Sequence, residues 1–78
     1  MLGRLLLLLA GEMGIDPSEI DEESNFETLA TWDSQREIEL AFMLEREYGI
    51  AIDSDEMTRL RSVHSIRELL HSRGIADP

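Results

Sequence analysis

Apolar positions along the chain recur at helical rather than strand spacing, and the middle has no β-branched alternation of useful length. The pattern predicts an all-α fold, a small four-helix bundle with a long first connection and a short third helix. Leu2, Leu6, Leu9 and Met13 share one helical face, which Leu5, Leu7 and Leu8 widen. A first helix therefore runs from about Leu2 to Met13 and stops at Gly14, the residue type that most easily adopts the left-handed conformation after a helix. The connection "IDPSEIDEESNFETLATW" follows. Asp16, Pro17 and Glu19 predict a turn, and Ser24 with Glu27 a short helical segment. A structureless loop of this length is uncommon in a compact domain, so Ile15, Ile20, Phe26 and Leu29 are expected to pin it across the bundle.

The second helix is predicted over Ser34 to Tyr48 and closed by Gly49. At about 100° per residue, Gln35, Glu39, Phe42 and Arg46 form one stripe, opposite Leu40, Leu44 and Tyr48 with Ala41 beside them. A third helix spans about Ser54 to Leu60, with Asp53 as cap and Glu56 at the third helical position. A fourth covers about Val63 to Arg73, between Ser62 as cap and Gly74 as terminator.

Composition narrows the function. Seventy-eight residues make a single domain, residues 1–78, too small to surround a deep active site. The absence of cysteine removes disulfides, thiolate nucleophiles and cysteine-based zinc sites, and agrees with a reducing, cytoplasmic setting. The opening "MLGRLLLLLAGE" has one arginine and then six apolar residues, Leu5 to Ala10. That run is short for a secretory signal, and a spanning helix needs roughly 20 apolar residues, so neither is expected. A net charge of −10, from 17 acids against 7 basic residues, repels nucleic acid and anionic membranes and attracts basic protein surfaces. His64 and His71 lie seven apart, whereas chelation from one helix needs a spacing of four, so no metal site is expected.

Candidate chemistry centres on "TWDSQRE", residues 31 to 37. Ser34 and Glu37 fit a capping box, in which the serine oxygen accepts from the Glu37 amide and the glutamate reaches back. If Asp33 caps instead, the helix begins at Ser34, and a phosphate esterified to that hydroxyl would sit at the positive end of the helix dipole. No G-x-S-x-G elbow or neighbouring histidine activates Ser34 as a nucleophile, so any reaction there needs another enzyme. On the polar stripe, Phe42 is either covered by a neighbouring segment or is an anchor for a partner. In the second case Glu37, Glu39, Glu45 and Glu47 would ring it and steer a basic surface.

The stretch "WDSQREIELAFMLEREYGIAIDSDEMTRLRSVHSIRELL", matched without a gap from Asp33 to Leu70, resembles the acyl carrier protein family, and "GIDPSEIDEESNFETL" resembles that family's long first connection. The resemblance implies a non-catalytic carrier of the four-helix acyl-carrier type. Ser34 would bear 4′-phosphopantetheine, installed from coenzyme A by a phosphopantetheinyl transferase, with Asp33 as the acid before it. The thiol would carry acyl groups as thioesters between acyl-loading and acyl-transferring enzymes with basic docking surfaces. Glu39, Phe42, Glu45 and Glu47 match the partner-facing helix, and Asp55 and Glu56 match acids of the third helix. Phe26, Leu29, Leu44, Ile52, Leu60, Val63 and Ile66 match the interior. Gln35 stands where leucine usually follows the serine and Arg36 where many carriers have an acid, which makes both candidates for setting partner choice. The W-D-S form resembles carriers of dedicated lipid, polyketide or secondary-metabolic pathways. The domain is expected to be a monomer. An aminoacyl or peptidyl carrier, or a helical interaction module in which Ser34 only caps, are the alternatives.

Overall fold

The structure, a computed structural model, describes residues 3–78. Among these residues there are four α-helices and no strand. Helix α1 spans Arg4–Met13; the part of the predicted helix at Leu2 lies outside the described residues. Leu5, Leu6, Leu9, Ala10 and Met13 are buried, while Leu7 points away from the core and remains 48% exposed. Gly14, at φ 67°, turns the chain out of the helix and donates its N–H back to Ala10 and Gly11.

The connection is fastened rather than free. Asp16 accepts from the Ser18 amide and Glu19 from the Asp16 amide at 2.9 Å, which closes a 3₁₀ turn over Pro17–Glu19. Ile20 is buried, and Ile15 and Leu29 are half-buried against the core. The helical segment expected from Ser24 to Glu27 does not form. Ser24 Oγ instead accepts from the Asp21 amide, and Asn25 Oδ1 accepts from the Glu27 and Thr28 amides, so local side chains satisfy the backbone as turns. This segment also pairs with the far end of the chain. Asn25 and Ser62 form an antiparallel bridge, flanked by Phe26 N–H to Arg61 O at 2.9 Å and Val63 N–H to Ser24 O at 3.1 Å. The pairing turns Phe26 outward to 42% exposure, correcting its expected place in the interior.

Helix α2 covers Ser34–Tyr48 and ends at Gly49, where φ is 66°. It packs against α1 and buries Leu40, Ala41 and Leu44, as the periodicity requires, together with Met43. Helix α3 is Ser54–Met57, shorter than predicted; Arg59 and Leu60 continue it only as i→i+3 bonds to Glu56 and Met57. The Asp53–Glu56 capping box is present. Helix α4, Val63–Ser72, is capped by Ser62 and buries Val63, Ile66, Leu69 and Leu70.

One core residue has no periodic element behind it. Trp32 is 1% exposed, and its Nε1–H donates to the Leu60 carbonyl at 2.9 Å. A buried indole needs such an acceptor. The contact fixes the chain two residues before Ser34 to the segment between α3 and α4.

Candidate functional site

With Trp32 anchored, the start of α2 is determined by Asp33. Its backbone is extended, and its Oδ1 accepts from the Arg36 amide at 2.9 Å. Asp33 is therefore the cap, and Ser34 is the first helical residue. The Ser34–Glu37 capping box is not formed: the Glu37 amide bonds the Asp33 carbonyl at 3.0 Å, and the glutamate points elsewhere. Ser34 is left exposed. The amides of Ser34 and Gln35, in the first turn, have no intrahelical acceptor, and the helix dipole places partial positive charge there.

Glu37, expected on the surface among the acids around Phe42, is instead buried. Its carboxylate accepts from Arg61 Nε at 2.8 and 3.4 Å, and the Arg61 guanidinium lies 5.4 Å from the centroid of the Phe26 ring. Pairing and the added hydrogen bonds are what allow a carboxylate to sit there. Ser34, Glu37, Ile38, Ser54, Met57, Thr58 and Arg61 line an open groove of about 180 Å³ between α2 and α3.

Arg36 is also turned inward. It donates to the carbonyls of Glu12 at 3.0 Å and Thr31 at 3.4 Å, and to Glu39 Oε1 at 2.7 Å. The Glu12 carbonyl belongs to the last turn of α1, where carbonyls lack helical partners and attract a cation. An arginine here ties the end of α1 to the start of α2.

The predicted partner face is divided in the same way. Gln35 is exposed, and Ile38 and Phe42 stand 46% and 61% exposed, so no neighbouring segment covers Phe42. Several of the acids have internal work. Glu45 accepts from the Ile52 amide at 2.8 Å and Glu47 pairs with Arg4 and Arg46. Glu56 closes the α3 capping box and pairs with Arg73, whose hydrogen bond holds its carboxyl below the usual carboxylate range, aided by the Asp53 amide. Asp55 is exposed. Two features escaped sequence reasoning: the buried indole of Trp32 and the Glu37–Arg61 pair. The only signal for the second was an arginine just before a helix cap, 24 residues away.

Among the described residues, no helix is long and apolar enough to cross a membrane. Residues 3–70 match a family model described as "Phosphopantetheine attachment site". The chain is 25% identical over 73 residues to an acyl carrier protein of Thermosynechococcus vestitus, a match covering 94% of this chain and 90% of that protein. It is 30% identical over 66 residues to "Polyketide-8 synthase acyl carrier protein 2" of Streptomyces avermitilis, covering 85% of this chain and 76% of that one.

Proposed function

Because this chain belongs to the acyl carrier protein family, whose domain is a phosphopantetheine attachment site, we propose that Ser34 is the residue to which the group is joined. The observation that carries this reading is the division of roles at the start of α2: Asp33 caps the helix, and the Ser34 hydroxyl is exposed at its first position. The surroundings suit the group. A phosphodiester at Ser34 would meet the free amides of the first turn. Beside it, the groove offers the Arg61 guanidinium, the Ser54 and Thr58 hydroxyls, and apolar surface from Ile38 and Met57 to an arm that alternates amides with methylenes.

When bound, the group supplies a thiol that holds acyl chains as thioesters. In its attachment, the Ser34 oxygen forms a bond to the pantetheine-side phosphorus of coenzyme A, and the pyrophosphate bond to adenosine 3′,5′-bisphosphate breaks. The serine proton passes to a base of the transferase, since Ser34 has no histidine beside it: His64 and His71 are exposed on α4. The chain itself provides the attachment point and a docking face, not a catalytic group.

Partner enzymes with basic surfaces would read that face. Ile38 and Phe42 are its apolar centre, with Gln35 and Glu39 on the same helix and the exposed Asp55 on α3. The W-D-S form, together with the similarity to a polyketide synthase carrier, supports a dedicated lipid, polyketide or secondary-metabolic pathway, served by a cytoplasmic monomer. Incubation with coenzyme A and a broad-specificity phosphopantetheinyl transferase should add the mass of one phosphopantetheine to the intact protein, and Ser34→Ala should abolish the gain. Wild-type protein left unmodified by several such transferases, or a Ser34→Ala variant still modified, overturns the assignment.

A further inference from the structure

The groove beside Ser34 contains an arginine whose hydrogen-bonding capacity is mostly unspent. Arg61 directs Nε to Glu37, and its guanidinium lies over Phe26. Its terminal nitrogens make no hydrogen bond or ion pair among the described residues, and the side chain is about half exposed. A guanidinium carries five N–H donors, and Nε supplies only one of them. Glu37 lies three residues beyond Ser34, one helical turn along the same face, so Ser34, Glu37 and Arg61 border one groove.

We propose that Arg61 is the counter-ion of the phosphodiester that modification places on Ser34, held in position for it by Glu37 and Phe26. The inference rests on Ser34 being the attachment residue. A phosphodiester keeps one negative charge at neutral pH and has two unesterified oxygens, which match the free edge of a guanidinium. Asp33 adds a carboxylate next to the new charge, and Glu37 engages only the Nε donor of Arg61, so the free edge of that guanidinium is the cation the groove offers the phosphate. Arg36, the other arginine at this end of α2, is spent on Glu12, Thr31 and Glu39. The arrangement also gives the arm a direction. With its phosphate drawn toward Arg61, the arm leaves Ser34 over Ile38 and Met57 rather than over Gln35.

The test compares apo and holo forms of three full-length proteins: the wild type, Arg61→Gln, and the pair Glu37→Gln with Arg61→Gln. Loading is verified by intact mass. In the wild type, modification should shift the Arg61 side-chain nitrogen resonances and the phosphorus resonance, and raise Tm by about 2–5 °C. The increment should shrink in about 1 M salt, where exposed charge pairs are screened. In both variants the phosphorus shift should move toward that of the same serine phosphodiester in the urea-unfolded holo protein, and the Tm increment should vanish. Arg61→Gln alone leaves a buried carboxylate unpaired and can unfold the domain; the double variant removes both charges and keeps the comparison open. Holo wild type with unmoved Arg61 resonances, or a Tm increment equal in wild type and double variant, overturns the role of Arg61 and leaves the Ser34 assignment standing. A wild type that takes no phosphopantetheine overturns both.

Discussion

At the start of α2, Trp32, Asp33, Arg36 and Glu37 each have a fixed hydrogen-bond partner, whereas Ile38 and Phe42, on the outer stripe of the same helix, stand 46% and 61% exposed. The first region is held by residues from α1 and from the segment between α3 and α4. The second has no such fastening: Phe42 is mostly exposed, and Ile38 only borders the open groove beside α3. The difference separates two demands on a carrier. On the proposed assignment, an attachment point at Ser34 needs one geometry that every enzyme can rely on, and a docking face at Ile38 and Phe42 must be free to meet several partners. The arginines follow the same division: six of the seven pair with carboxylates of the chain itself. With these cations folded onto the molecule's own acids, the surplus of negative charge rests on carboxylates that have no arginine beside them.

Removing the deepest fixing should break this contrast most. Trp32→Ala empties a fully buried indole site and leaves the Leu60 carbonyl unpaired, so it should cost about 3–5 kcal/mol in urea unfolding and leave little folded domain at physiological temperature. Trp32→Phe, which keeps most of the volume and loses the hydrogen bond, should cost clearly less. Asp33→Ala removes the cap from a helix that is otherwise intact. It should cost about 1 kcal/mol in the same measurement, and amide exchange should quicken in the first turn of α2 while Tyr48 at the other end is unchanged. Phe42→Ser should be the mildest for the fold, within about 0.5 kcal/mol of the wild type. Its effect belongs to the docking face: transfer of an acyl group by a cognate partner should slow through a higher KM while phosphopantetheine loading proceeds. A Phe42→Ser protein that is strongly destabilised would remove the distinction between the two regions.

The limits of α2 were legible because three local signals agree: a capping residue, a 3.6-residue repeat and a glycine at the end. The cap itself was ambiguous, since Asp33 and Ser34 are adjacent and both are good capping residues; only the extended backbone at Asp33 decides between them. Trp32 could not be placed because it belongs to no periodic element, and its acceptor is a backbone carbonyl that carries no side-chain signature. Phe26 was misplaced for a related reason. In a connection the inward or outward direction of a side chain is set by backbone pairing, here with Arg61 and Ser62, and hydrophobicity alone does not reveal it. The expectation that Arg36 helps set partner choice gives no sign that its guanidinium also reaches the end of α1. A long flexible side chain lets sequence position say little about where its charge ends.

The lacing of the connection onto the segment between α3 and α4 also bears on when the site comes into being. Trp32 finds its acceptor 28 residues later, at Leu60, and Glu37 finds its cation 24 residues later, at Arg61. On a ribosome the helix that bears Ser34 is synthesised well before either partner emerges. Its own propensity is a weak force for a single helix in water, so the setting of the serine is completed only when residues 60 to 63 have been added and have folded back. A transferase that requires that setting thereby distinguishes a finished carrier from a nascent one.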